Sequence, residues 1–500
     1  MFEILSNLGH GFSIAFSFTN LGLCLIGVLV GTLIGVLPGV GSVATIAMLL
    51  PITFGLHPVG ALIMLAGIYY GAQYGGSTTS ILVNIPGEAG SVVTTLDGHQ
   101  MARQGRAGAA LAIAAIGSFV AGCFATVLIA ALGAPLTALA LKFGPAEYFS
   151  LMVLGLIFAV VLAKGSVLKA LAMIVTGLLL SMVGSDLETG ASRMAFNRPE
   201  LADGISFAVL AMGVFGFAEI IRNLEQTHNR DIVQAKVTGL MPTRRDLKDA
   251  APAIGRGTLI GSLLGILPGG GAVIASFAAY TLEKRVAKEP ARFGRGAIEG
   301  VAAPESANNA AAQTSFIPLL SLGIPPNAVM ALMVGAMTIH GIIPGPQVMT
   351  NQPDLFWGMI ASMWVGNAML LIINLPLVGL WVRLLRVPYR LLYPSILVFC
   401  AIGVYSINNS PADVIMAAVF GLVGYWLIKH DFEPAPMMLG FVLGPLMEEN
   451  LRRAMLIARG DATTFLTRPI SAGLLAVAAA LLVIAILPAI RGRREEVFVE

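Results

Sequence analysis

The chain reads as an all-α polytopic membrane protein of two inverted-topology repeats, with broken helices, re-entrant hairpins and about 10–14 membrane segments. Three observations carry that reading. Its 500 residues are 57% hydrophobic and 11% charged, with mean hydropathy +0.85, whereas a soluble domain is about a quarter charged. One phrase is written twice: GTLIGVLPGVGSV at Gly31–Val43 and GSLLGILPGGGAV at Gly261–Val273 agree at eight of thirteen positions. Cationic loops flank the two copies in opposite order.

Each copy sets Pro and glycines inside an apolar stretch, where a continuous helix tolerates them poorly. The helix should break there. A backbone group freed inside a bilayer must find a partner in protein or in a water-filled cavity, so a paired break points to a ligand site. The plainer reading, close packing or a kink, stays open.

No Lys or Arg precedes Arg103. A cleavable signal peptide needs a basic n-region, so the first span is expected to be retained. The same absence predicts a periplasmic N-terminus. Arg103 and Arg106, the segment Arg222–Arg256 and the tail Arg491, Arg493 and Arg494 mark the cytoplasmic side, and Gly341–Asp354, Asn408–Asp413 and Ser185–Asp203 the outer side. Copy one leads from a cation-free end to a basic loop; copy two does the reverse. The loop Glu283–Arg295, with Lys284, Arg285, Lys288, Arg292 and Arg295, threads to the outside unless Leu263–Ala279 re-enters instead of crossing.

Helix-compatible apolar runs follow in order at Leu21–Leu37, Val43–Phe54, Val59–Ala72, Ala109–Leu132, Leu151–Leu162, Val167–Val183 and Ile205–Ile221. They resume at Thr258–Ala279, Ala297–Ala312, Ile317–Ile339, Leu355–Leu380, Leu391–Val404, Val414–Ile428, Pro436–Leu446 and Ala472–Ala489. Several are too short to span alone, as half-helices and hairpins are. The expected organisation is a first membrane repeat over 1–222, a cytoplasmic connecting loop over 223–256, a second repeat over 257–468, and a C-terminal helix with a cytoplasmic tail over 469–500. The largest polar insert, Asn223–Ala251, reads as loop or short surface helix.

A second paired feature follows each Pro-Gly phrase. Copy one has Tyr70-Gly-Ala-Gln-Tyr-Gly-Gly-Ser-Thr-Thr-Ser80 and Asn84-Ile-Pro-Gly-Glu88; copy two has Ala303-Pro-Glu-Ser-Ala-Asn-Asn-Ala310, Gln313-Thr-Ser315 and Gly323-Ile-Pro-Pro-Asn327. Hydroxyls and amides this dense in apolar sequence want polar partners. A small carboxylate suits them, because neutral donors and opened helix ends hold an anion without a buried fixed cation. The expected substrate-binding set is Gly39, Gly41 and Ser42 facing Gly269, Gly270 and Gly271, with donors from Ser77, Thr78, Thr79, Asn84, Asn308, Asn309 and Thr314. Glu305, Pro86 and Pro325 form the expected cation-coupling set, Glu305 binding Na+ or carrying a proton. Back-bonding of Ser77–Ser80 to their own helix is the alternative, as is an interfacial helix-start role for Glu305.

Other chemistry has weaker footing. Cys24, Cys123 and Cys400 lack C-x-x-C spacing and read as small core residues, and no cofactor beyond a coupling Na+ is called for. Asp97 and His99 read as solvated loop residues, and Glu448, Glu449, Arg452 and Arg453 as a membrane-surface helix. Neither G-x-x-x-x-G-K-[ST] nor H-E-x-x-H occurs, which excludes two common routes of ATP and peptide hydrolysis. The net charge of +3 argues against nucleic acid. A channel, or a membrane-embedded enzyme acting on a small anion, remains the alternative to a carrier.

Several phrases in one order resemble the TctA family, the large membrane subunits of tripartite tricarboxylate transporters. They are Gly35-Val-Leu-Pro-Gly-Val-Gly41, Tyr70–Ser80, Asn84-Ile-Pro-Gly87, Leu96-Asp-Gly-His-Gln100, Pro304-Glu-Ser-Ala-Asn-Asn309 and Gly341-Ile-Ile-Pro-Gly-Pro346. The likeness runs from about Leu21 to Arg468. It implies a bacterial inner-membrane carrier for small carboxylates, driven by an ion gradient. The implied partners are a TctB-like small membrane subunit and a TctC-like periplasmic solute-binding protein.

Overall fold

The computed structural model describes residues 2–37, 41–140, 142–163, 166–186, 189–225, 240–267, 271–384 and 389–486. The tips of both Pro-Gly turns, and so the expected site residues Gly39, Gly269 and Gly270, lie outside the described residues, as does 226–239 of the connecting segment. Helices dominate. Among the described residues the only sheet is a short antiparallel ribbon of β1 (Gly184–Ser185) and β2 (Ser192–Arg193).

The first half runs α1 (Phe2–Ala15), α2 (Phe18–Val36), α3 (Gly41–Thr53), α4 (Pro58–Val83), α5 (Thr94–Arg103), α6 (Ala107–Ala140), α7 (Pro145–Leu162), α8 (Val167–Ser181), α9 (Phe207–Ala211) and α10 (Ala218–Glu225). A π-helical turn at Met212–Phe217 joins the last two. The second half runs α11 (Arg244–Ile266), α12 (Gly271–Val286), α13 (Glu299–Thr314), α14 (Phe316–Leu322), α15 (Ala328–Ile339), α16 (Gln347–Asn351), α17 (Pro353–Asn374), α18 (Val378–Leu384), α19 (Tyr389–Asn408), α20 (Pro411–Lys429), α21 (Pro434–Ile457), α22 (Thr464–Thr467) and α23 (Pro469–Ile486). Residues 244–256 of the segment read as connecting loop are thus the first turns of α11, started by a reciprocal cap between Thr243 and Asp246. The apolar run Ile317–Ile339 is two helices parted by Gly323-Ile-Pro-Pro.

Four described helices, α2, α6, α17 and α20, are long and apolar enough to cross a membrane. The protein is an all-α polytopic membrane protein. With 34 residues, α6 is about 51 Å long at 1.5 Å per residue.

Two glycine triplets build matching contacts. A Cβ on Gly27, Gly31 or Gly35 of α2 would strike the backbone of Met64, Ile68 or Ala72 of α4, and one on Gly257, Gly261 or Gly265 of α11 would strike that of Ala303, Ala307 or Ala311 of α13. Only glycine admits backbones this close. Numbering rises together in both pairs, so α2 is parallel to α4 and α11 to α13. The intervening α3 and α12 return between them. Arg256 and Glu283 close the second hairpin with two bonds, Nε to Oε1 at 2.5 Å and Nη2 to Oε2 at 2.8 Å. The polar helix α4 ends in the left-handed region at Asn84 (φ 60°), and α14, which follows the polar α13, ends there at Gly323 (φ 75°), each followed by Ile-Pro.

Tertiary bonds orient the halves. Near the end of α4, Ile81 O lies 3.2 Å from His99 Nδ1 in α5. Asp97 in the same helix bonds to Gly294, Gly296 and Ala297, just before α13. Arg106, at the start of α6, meets Asp246 at the start of α11 at 2.5 Å. So α2 and α4 end on the face where α11 and α13 begin. This basic face gathers Arg103, Arg106, the start of α11 and the loop 284–295.

Bulk placed in the glycine stripe should separate the helices. Gly31→Val or Gly261→Val is expected to lower stability by about 1–3 kcal/mol, read as a lower melting temperature in detergent. Gly22→Val, with no atom within 4 Å of its Cβ, should leave it unchanged, and equal effects at the three positions would refute the backbone-contact account.

Candidate functional site: a buried carboxylate between two polar helices

The polar stretches of α4 and α13 meet inside the protein. Ser77, Thr78, Thr79, Glu305, Asn308, Asn309 and Thr314 are each at most 4% exposed. Glu305 is the centre. Its Oε2 accepts from Ser77 Oγ of α4 and its Oε1 from Thr94 Oγ1 of α5, so three helices from both halves share one carboxyl group. One turn on, Asn309 Nδ2 donates to Ser118 Oγ of α6 at 2.7 Å and to Glu305 O at 3.0 Å. Beside this lies a cavity of about 10 Å³, the room of one water, lined by Tyr74, Ser77, Thr78, Ser118 and Asn374 among others.

The donors and acceptors here are not used up. Among the described residues, Asn309 Oδ1, both amide atoms of Asn308, Gln313 Nε2 and Asn374 Oδ1 have no hydrogen-bond partner. Unmade bonds on buried amides cost about 1–3 kcal/mol each, which a bound polar species would recover. The hydrogen bonds to the Glu305 carboxyl come from hydroxyls alone. A carboxylate buried without an ionic partner needs a proton or a cation.

The remaining expected residues lie at the edges of this cluster. Thr79 Oγ1 donates to Val36 O at 2.8 Å, capping the end of α2. Thr314 bonds to Ala310 O of its own helix at 3.0 Å and packs against Gly265. Gly41 and Ser42 start α3, where Ser42 N–H donates to Glu88 Oε1. Gly271 starts α12 against Gly265. Asn84 is exposed and Pro86 half-buried, whereas Pro325 is buried in the turn after α14.

Asp97 overturns its reading as a solvated loop residue. It is fully buried, its Oδ1 accepting from the N–H groups of Gly294, Gly296 and Ala297 at 2.7–2.9 Å and its Oδ2 from Tyr280 OH at 2.9 Å. Positive φ at Gly294 (81°) and Gly296 (100°) turns these amides inward. The Glu448–Arg453 cluster is also more than a surface helix. Arg452 bonds to Asp186 and Glu448 at 2.6 Å, and Arg193 to Glu448 at 2.8 Å, walling a cavity of about 530 Å³ opposite the basic face. Sequence reasoning missed Thr94, Ser118, Asn374 and Glu88; the signal for Ser118 was a hydroxyl in the alanine-rich α6, where only Thr126 and Thr137 join it. Among the described residues no group of three His, Cys, Asp or Glu is arranged for a metal.

This cluster falls within the segment matched by the model of the tripartite tricarboxylate transporter TctA family, residues 21–439. The chain belongs to the TctA family. A relative from Agrobacterium vitis, described as an uncharacterized 52.8 kDa protein in the TAR-I ttuC' 3' region, is 60% identical over 500 residues, all of both chains. A second from the same organism, an uncharacterized protein in the TAR-II ttuC' 3' region, is 64% identical over 240 residues, 48% of this chain and 99% of that one. No solved structure matches. As a TctA member the chain is a membrane protein of a transporter family.

Asp97→Ala would orphan three backbone donors and a phenol. It should cost about 3 kcal/mol or more and expose 284–296 to protease; a variant as stable and as resistant as the wild type would remove Asp97 as the clamp between the halves.

Proposed function

We propose that the chain is the large membrane subunit of a binding-protein-dependent secondary transporter that imports small carboxylates, tricarboxylates or related acids, with Na+ or H+. The observation that carries this is the fully buried Glu305, held between hydroxyls of α4 and α5 amid unpaired amides of α13. Substrate carboxylates take the free Nδ2 donor of Asn308, the Asn309 amide when it turns from Ser118, the hydroxyls of Ser77 and Thr78 and the opened helix starts at Gly41, Ser42 and Gly271. Glu305 takes the coupling cation.

The fold supports two inverted repeats: each half has a glycine-triplet helix, a returning helix and a parallel polar helix, and the two sets run in opposite directions. Short returning helices flanking a mid-membrane site suit a carrier that exposes the site alternately, by an elevator-like movement or by rocking. The gathering of Arg and Lys supports a cytoplasmic assignment of the basic face in the bacterial inner membrane. The N-terminus is then periplasmic and the C-terminus cytoplasmic. The chain's return through α12 supports a cytoplasmic place for 284–295 as well. A TctB-like subunit takes an exposed flank of the bundle, and a TctC-like binding protein approaches the outer loops, including 341–354.

Proteoliposomes holding the three components should take up at least one of labelled citrate, succinate and benzoate, and removing either sodium or the proton gradient should stop uptake. Ser77→Ala or Asn309→Ala should reduce uptake about 10- to 100-fold at unchanged membrane abundance, the loss of one hydrogen bond to a charged group at about 1.5–3 kcal/mol. Normal transport by either variant would remove that residue from the site. Currents far above carrier turnover would favour a channel.

A further inference from the structure

We infer that Glu88 holds, in the unloaded carrier, the place that a substrate carboxylate takes at the start of α3, and gives it up when the substrate arrives. This rests on the carboxylate-carrier reading above. Two observations motivate it. The Glu88 Oε1 atom accepts from Ser42 N–H in the first turn of α3, and the Cβ position of Gly41 (φ 66°) lies 3.9 Å from the same oxygen. A helix start of 13 residues with free N–H groups binds a carboxylate whatever molecule carries it. Independently, Asn308 is 0% exposed with both amide atoms unbonded. It abuts Gly90, two residues from Glu88, so closely that a Cβ there would overlap its Oδ1.

The site therefore has one donor satisfied by an internal carboxylate, and a buried, unpaired amide lies against the same turn at Gly90. A substrate with two or more carboxylates satisfies both; Glu88 satisfies one. When the Glu88 side chain leaves, Ser91 Oγ, which donates to Glu88 O at 2.9 Å, still ties the short turn Ala89–Ser91 to its start. The counterpart of Glu88 in the second half is otherwise engaged. Asn327 stands four residues after the left-handed Gly323, as Glu88 stands four after Asn84, and its Oδ1 caps α15 by accepting from Met330 N–H at 2.9 Å.

The test is equilibrium binding of labelled citrate, succinate and benzoate to the full-length chain with its small membrane subunit. Glu88→Gln, which keeps the shape and removes the competing charge, should bind the acid that the wild type takes about tenfold more tightly, as expected when a competitor fills the site in about nine molecules of ten. Unchanged or weaker binding overturns the inference. If Glu88→Gln is not recovered from membranes, Glu88→Asp, one methylene too short to reach Ser42, should show the same gain. If the wild type binds none of the three acids, the carboxylate reading falls and this inference with it; if it binds one and neither variant gains affinity, only the role of Glu88 falls.

Discussion

Backbone contact between parallel helices, made twice by three glycines, is the constraint on which the architecture depends. In water such contact would add to a hydrophobic collapse, but lipid tails are as apolar as the side chains, so helices associate by close packing and buried polar bonds. The triplets Gly27, Gly31, Gly35 and Gly257, Gly261, Gly265 bring α2 to α4 and α11 to α13 along three successive turns. Each returning helix is then confined beside its pair. The polar faces of α4 and α13 are left to meet each other, and a carboxyl group can be enclosed there without an Arg or Lys partner.

Much of this is legible in the primary structure. The doubled Pro-Gly phrase falls between α2 and α3 and again between α11 and α12. Within Leu263–Ala279, α11 ends at Ile266 and α12 begins at Gly271, and the far end of α12 meets α11 where Glu283 bonds to Arg256. Ser77, Glu305 and Asn309 do share one cluster. What pattern reading could not reach is partnership over long separations. Asp97 sits in a polar phrase that looks like any solvated turn, and only the inward amides of 294–297, some 200 positions away, make it a buried anchor. Thr94 is an ordinary loop threonine until Glu305 is placed opposite it. Glu88 looked like the polar end of a motif, because nothing in its neighbourhood announces that Ser42 N–H will face it.

The site also divides its tasks by element. Hydroxyls of α4 and α5 address the carboxyl group, an amide of α13 addresses α6, and at the edges Thr79 caps the end of α2 while Thr314 bonds within α13 and lies against Gly265. Substrate contact and mechanical support thereby rest on different side chains of one short phrase. Ser77 can respond to a bound species, whereas Thr79, two residues on, is committed to Val36 O.

One dimension of the bundle bears on where it can work. The 34-residue α6 carries no charged side chain, so its roughly 51 Å of apolar length exceeds the hydrocarbon slab by about 20 Å. Tilting to 40° would still leave it longer than the slab is thick. The surplus must be met by a locally stretched lipid annulus or by shelter from neighbouring protein above the headgroups. Most of α6 is buried against its neighbours from Ala107 to Ala140, so the bundle itself supplies that shelter, and its core reaches beyond the span of a single lipid slab.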